Sequence, residues 1–371
     1  MIYLDYAANT PVNEQVLDIF CDVTKKYIAN ANSSHRLGGE AKALLDNSTL
    51  KIKELLDVRD FEVIFTSGAT ESNNLAIKGV AEKYKKYGKH IITTYLEHSS
   101  VNGAIAALQM QGFEVDYVGI DKNGLVNLEE LKELMRKDTI LVSICYVDSE
   151  IGICQQIDKI GEIISNYPNC IFHTDATQAV GKIPIIPNAH LISFAPHKFY
   201  GLNGCGVLLK KESLMLEPQI HGGISTTPYR SGTPPIALIA ATAKALELAM
   251  ADIKNKYEYV NGLNNKLRAF FEKNPKIRIN STSNSVPFIL NISISGVKTA
   301  QILSELEKRE IYLSSKSACC APNTISRPVY ALTKDKKAAL STIRISLSHL
   351  TTREEIDAFI ANFEDCCKDF I

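Results

Sequence analysis

Short apolar, β-branched runs alternate with helix-patterned stretches through the first two-thirds of the chain, and few folds accommodate that order. The runs Glu62–Thr66, His90–Tyr95, Glu114–Val118, Thr139–Tyr146, Cys170–Thr174, Leu191–Phe194 and Gly206–Lys210 read as strands. Helical stretches Glu71–Lys86, Val101–Gln111, Leu128–Lys137 and Ile157–Asn166 fall between most of them. Buried strands joined by helical crossovers predict a mostly parallel α/β sheet. Ligands of such sheets collect at the carboxyl ends of the strands. Polar residues that interrupt the apolar pattern there are the first candidates for a site.

Beyond residue 235 the pattern changes. Ile236–Lys273 reads as one long helix, followed by Phe288–Ile294 (strand), Ala300–Lys308 (helix), Ile311–Ser314 (strand), Thr342–Ser346 (strand) and Arg353–Cys367 (helix). That order suggests a smaller α+β domain. The 371 residues suit two domains, a large one over 12–250 and a small one built from 1–11 and 251–371. Pro11–Asn30 could pack on either.

Lys plus Arg equals Asp plus Glu at 41 each, so no global field favours a nucleic acid. The basic runs Lys83–Lys86 and Lys334–Lys337 read as solvated faces or turns. No apolar run is long enough to span a bilayer. Met1–Asp5 lacks the basic start and apolar stretch of a signal peptide. Nine cysteines, an odd number at irregular spacing, argue against a disulfide framework and for a reducing cytoplasm. No Cys-x-x-Cys occurs, so no closed zinc site is expected.

Five segments carry candidate chemistry. In Ser193-Phe194-Ala195-Pro196-His197-Lys198 a strand ends, a Pro stops it and a Lys follows a His. Gly201, Gly204 and Gly206 follow closely and permit tight backbone approach. In Ile171-Phe172-His173-Thr174-Asp175-Ala176-Thr177-Gln178 an Asp closes a buried strand, which is unfavourable without a charged partner or a capping role. A pyridinium nitrogen would be such a partner, with Gln178 near the ring hydroxyl. Thr66-Ser67-Gly68-Ala69-Thr70-Glu71 passes from strand through a Gly turn into a helix. It is either an anion seat at Ala69 and Thr70 or a plain cap with Ser67 or Thr70 capping. His98, in Glu97-His98, either stacks on an aromatic ring and exchanges protons or is a satisfied structural residue. Ser314-Ser315-Lys316-Ser317-Ala318-Cys319-Cys320 reads as a mobile loop that exposes Cys319, either as a nucleophile whose thiolate Lys316 favours or as part of a solvent-exposed Cys pair without function. Arg344, inside a strand pattern, suggests a bidentate substrate carboxylate or a structural ion pair. Ser295-Gly296-Val297-Lys298-Thr299 lacks phosphate-loop spacing.

In this order the segments resemble the cysteine desulfurases, a branch of the class V aminotransferases with fold type I. Tyr3-Leu4-Asp5-Tyr6-Ala7-Ala8-Asn9-Thr10-Pro11, Asn32-Ser33-Ser34-His35 and Arg230-Ser231-Gly232-Thr233 add to the match, which covers nearly the whole chain. The resemblance implies pyridoxal 5'-phosphate (PLP) as cofactor, carried by Lys198 as an imine. Asp175 would pair with the pyridine nitrogen, and Gln178 with the ring hydroxyl. His98 would stack on the ring and help move protons. Thr70, His197 and Thr233 would hold the phosphate, Thr233 arriving from the other subunit of a homodimer. Arg344 and Ser149 would face the substrate L-cysteine. Cys319 would take the substrate sulfur, leaving alanine and a persulfide for an acceptor protein or thiol, in cluster assembly or another sulfur pathway.

The sequence also departs from the family's pattern. Ser149 stands where an Asn is usual, Ala195 where a phosphate-binding Ser is usual, and Lys316 where a Gly is usual. Thr226-Thr227-Pro228-Tyr229 lacks the usual Glu and additional Arg, and Cys320 makes a vicinal pair. The sequence ends soon after Arg353–Cys367, without the tail that some members use to dock a scaffold protein. Two further readings accommodate these changes: a selenocysteine lyase or related class V lyase, and a non-catalytic homologue with a binding role.

Overall fold

The computed structural model describes residues 1–297, 299–316 and 324–367. In chain order the elements are β1 (Ile2–Tyr3), α1 (Glu14–Lys26), α2 (Arg36–Leu55), β2 (Phe61–Thr66), α3 (Ala69–Tyr84), β3 (His90–Thr93), α4 (Ser99–Gln109), β4 (Glu114–Tyr117), α5 (Leu128–Leu134), β5 (Thr139–Ser143), α6 (Ile157–Ile164), β6 (Ile171–Asp175), β7 (Leu191–Phe194) and β8 (Gly206–Lys211). Then follow α7 (Ile236–Met250), α8 (Ile253–Phe271), β9 (Ile277–Ile279), β10 (Ile289–Ile294), α9 (Thr299–Glu307), β11 (Ile311–Tyr312), α10 (Arg327–Thr333), α11 (Lys336–Leu340), β12 (Thr342–Ser346) and α12 (Arg353–Cys367).

The main sheet has the order β2-β8-β7-β6-β5-β3-β4. Only β8 runs antiparallel to its neighbours. Its middle strands β3, β5, β6 and β7 are buried at every position. Helices cover both faces, which is why these strands are apolar throughout rather than alternating. α3 and α4 lie over one face with Leu75, Val80, Val101 and Ile105 in a single cluster with Ile91, Ile140 and Leu191. On the other face α1, α2, α6 and α7 join a larger cluster with Ile92, Val142, Phe172 and Ile192. Two smaller sheets stand apart, β12-β10-β9 and the parallel pair β1-β11.

All seven expected strands of the main sheet form, with no end shifted by more than three residues and Leu191–Phe194 as expected. Two helix readings are corrected. Ile236–Lys273 is two helices, because Asp252 takes a left-handed conformation (φ 58°) at the junction of α7 and α8. Asp tolerates that region better than most residues, so neither Gly nor Pro marks the break. The 20-residue α2 was absent from the sequence reading. Its buried positions Gly38, Ala41, Leu45, Ser48 and Ile52 follow helical spacing, but two of the five are not apolar side chains. Pro11–Asn30 contributes α1, which packs against α7.

Candidate active site

The carboxyl ends of β2, β3, β5, β6 and β7 open on one cavity of about 290 Å³. Ala69, Thr70, His98, Ser149, Asp175, Gln178, His197, Lys198 and Arg344 all line it. Thr233 does not; it lies exposed on the surface. Cys319 lies outside the described residues, as does Cys320.

Lys198 closes a short 3-10 turn, Pro196–Lys198, that follows β7. Its Nζ donates to the carbonyls of Ala7 (3.0 Å) and Ala8 (2.5 Å). The N-terminal segment is thereby drawn across the mouth of the sheet. Asp175 ends β6 and is 6% exposed. Its Oδ1 accepts from the Thr177 backbone N–H (3.0 Å) and its Oδ2 from Asn73 Nδ2 (2.8 Å). No helix follows β6, so Asp175 caps a turn rather than a helix, and it does so from the cavity wall. One turn on, Gln178 donates from Nε2 to the Ala7 carbonyl (2.9 Å) and accepts at Oε1 from Lys182 (2.6 Å).

Neither Ser67 nor Thr70 caps α3. The N-cap is Gly68, with no side-chain bond to the helix. The first-turn N–H groups are left for an anion. Gly206, at the start of β8, makes this seat: a Cβ there would meet the Gly68 carbonyl carbon at 2.3 Å and Thr66 Oγ1 at 2.5 Å. His197, placed near the seat by the resemblance, is pushed down to about 4 by burial and by the Lys198 and Lys182 charges. It is a neutral ring at pH 7.

His98 is the N-cap of α4. Beside it, Glu97 is buried, its carboxyl pushed up to about 8, chiefly by burial and further by Asp175. Glu97 Oε1 accepts from the Cys145 N–H and the Thr94 hydroxyl, both at 2.8 Å. Arg344 is 1% exposed on β12. Its Nη2 reaches Asp5 Oδ1 (2.8 Å) and its Nη1 the Ser149 carbonyl (3.0 Å), while its Nε is buried with no hydrogen-bond partner among the described residues. A structural ion pair thus exists, and each Nη keeps a second N–H that can serve a carboxylate. The Ser149 contact uses the backbone carbonyl, so the departure from Asn leaves it intact.

Asn73, Ser100, Lys182 and Glu97 form the back of this wall, and the sequence reading gave none of them a role. The donor set suits a phosphorylated pyridine aldehyde. An amine and a buried carboxylate line one cavity, and an uncapped helix start supplies an anion seat. Thr177 Oγ1, also in the wall, is buried without a partner among the described residues. Among the described residues no cluster of His, Cys, Asp and Glu could hold a metal. No described helix is long and apolar enough to cross a membrane.

The family model for aminotransferase class-V matches residues 2–359. A NifS/IcsS protein homolog of Lactobacillus delbrueckii subsp. bulgaricus is 39% identical across all of this chain and 98% of its own length. A protein named cysteine desulfurase IscS, from Serratia proteamaculans, is 40% identical over 96% of this chain and 90% of its own. Among solved structures, a NifS-like protein matches with a TM-score of 0.93 at 32% identity over the whole of both chains. SspA in complex with cysteine matches with a TM-score of 0.83 at 31% identity, over 95% of this chain and all of its own.

Proposed function

The chain belongs to the class-V aminotransferases, in the cysteine desulfurase family, and from that premise we propose how its own residues remove sulfur from L-cysteine. The observation that carries the reading is the convergence of Lys198, Asp175, Gln178, His98 and Arg344 on one cavity. PLP, when bound, supplies an electron-withdrawing ring that stabilises negative charge at the substrate α-carbon. Lys198 would hold it through the amine, and Asp175 through the ring nitrogen. Gln178 would meet the ring hydroxyl, and the α3 N–H groups with Thr70 and His197 the phosphate. Thr233, exposed in one chain, would complete the phosphate seat of a second copy in a homodimer.

Arg344 orients the substrate by its carboxylate. Asp5 keeps the guanidinium fixed, so the Nη hydrogens it leaves uncommitted meet the incoming anion without rotamer freedom to lose. His98, in the cavity wall, would lie against the ring and manage protons. The Cys319 thiolate attacks the substrate sulfur. An S–S bond forms as the C–S bond breaks, and the α-carbon skeleton takes up protons to leave as alanine. One thiol and one cysteine become one persulfide and one alanine, with no external oxidant. The persulfide then passes to an acceptor protein or thiol. All described cysteines are free, which suits a reducing cytoplasm.

The test is Cys319→Ala. Alanine formation from cysteine is expected to fall by orders of magnitude, while the cofactor's visible absorbance stays. In the wild type, mass spectrometry after brief exposure to cysteine should place one added sulfur on Cys319. Unimpaired alanine production by the variant would remove Cys319 as the acceptor.

A further inference from the structure

Behind the cavity wall, polar groups on two helices link the two residues read as flanking the ring. Asn73 on α3 is fully buried, and Ser100 on α4 is 8% exposed. Asn73 Nδ2 donates to Asp175 Oδ2 (2.8 Å) and to Ser100 Oγ (2.9 Å). The carboxylate accepts only, so the amide must present its NH2 to it, and Oδ1 is left buried without a partner among the described residues. Both Asn73 N–H groups are then committed. Ser100 Oγ, already accepting from Asn73, has its own proton to give. His98 Nδ1 lies 2.8 Å away to receive it.

The same Nδ1 faces the Ser100 backbone N–H at 3.2 Å. That donor cannot be reversed. A proton on Nδ1 would point one N–H at another, so Nδ1 must offer its lone pair, and the ring proton of neutral His98 sits on Nε2. The hydroxyl and the amide reinforce one choice of tautomer, and they run it back to the carboxylate.

We propose that Asn73 and Ser100 are positioning residues that lock His98 as its Nε2–H tautomer and couple it, through Asn73, to Asp175. The inference rests on the reading of this cavity as the PLP site. In the resting enzyme His98 then offers a proton at Nε2 rather than a lone pair. It starts the cycle as a hydrogen-bond donor, and it can accept at Nε2 only after giving that proton up. Asn73 holds Asp175 Oδ2 in place at the same time, so one amide sets both ends of the site.

The experiment uses holoenzyme carrying 15N-labelled histidine, with the His98 signals identified by their loss in His98→Gln. The wild type should show His98 with an unprotonated Nδ1 and a protonated Nε2. Ser100→Ala removes the shorter of the two donors to Nδ1, and Asn73→Leu the group that orients it, so the Nδ1 signal should move toward that of a more weakly bonded nitrogen and kcat should fall about tenfold, roughly one hydrogen bond's worth, with KM little changed. Ser100→Thr, which keeps the hydroxyl, should restore both. If His98→Gln turns over cysteine like the wild type, the reading of the cavity fails. If His98→Gln is inactive but Ser100→Ala keeps both the wild-type nitrogen pattern and kcat, the cavity reading stands and this inference is overturned. A protonated Nδ1 in the wild type would overturn it as well.

Discussion

Lys182 offers a test of how the cavity is built, because its ammonium is buried among like charges. It lies one turn after Gln178, is 8% exposed, and has Gln178 Oε1 as its hydrogen-bond acceptor. Burial first, then the Lys198 and Arg344 charges, push its amine from 10.5 down to about 7. A small void on its far side is lined by Tyr6, Tyr200, Lys256 and His349, none of them a carboxylate. Between about pH 7 and 10.5 the folded chain binds fewer protons here than the unfolded chain, so stability rises with pH across that window. The penalty is complete below the folded value and vanishes above the unfolded one. At about 1.4 kcal/mol per pH unit it amounts to about 5 kcal/mol below pH 6 and about 4 kcal/mol at pH 7. Lys182→Met keeps the length and the apolar stem but drops the charge. It also strands Gln178 Oε1, at a cost of roughly 1–3 kcal/mol. The net expectation is a variant more stable than the wild type by about 2 kcal/mol at pH 7 and less stable by about 1–2 kcal/mol near pH 10. Urea unfolding of both cofactor-free proteins at several values between about pH 6 and 10 measures this directly. A difference that keeps one sign and one size across that range would refute the claim that Lys182 is charged against its surroundings.

Two other substitutions probe the same wall. Gly206→Ala places a Cβ 2.3 Å from the Gly68 backbone, so the turn before α3 must move and carry the anion seat with it. The PLP dissociation constant, followed by the bound cofactor's absorbance, should rise at least about tenfold, since even a displaced charge-assisted hydrogen bond is worth that much; an unchanged constant would show that the seat lies elsewhere. For Glu97 the sign is opposite to that of Lys182. Its folded value of about 8 lies above the ordinary 4.5, so the folded chain holds the extra proton and loses stability as pH rises between those values. Glu97→Gln keeps the Oε1 acceptor for Cys145 and Thr94 and cannot ionise. Its melting temperature should therefore gain on the wild type from about pH 5 to pH 9 and then level off; a flat difference would contradict a buried neutral acid.

The contrast between what could and could not be read from the chain follows from where polarity is expected. Asp175 and Lys198 stood out because each ends or follows an apolar strand, where a charge is out of place unless something binds it. Asn73 and Ser100 did not, since a polar residue in a helix needs no explanation (every surface helix has a polar face), and neither did Lys182, since a polar residue in a turn needs none either. Only the packing shows that Asn73 is fully buried beside Asp175, 102 residues away. Arg344 and Asp5 meet across 339 residues, and a strand pattern around residue 344 says nothing of a partner at residue 5. α2 was missed for a related reason, because Gly38 and Ser48 on its buried face look like breaks in the apolar stripe. Residues that touch a ligand directly must break the local rule of their element, and so they are visible in one sequence. Residues that act through another side chain obey the local rule, and their role appears only when the distance between two helices is known. The groups that decide which nitrogen of His98 carries a proton belong to the second kind, which is why the chemistry of this cavity is announced at the strand ends but tuned from α3 and α4 behind them.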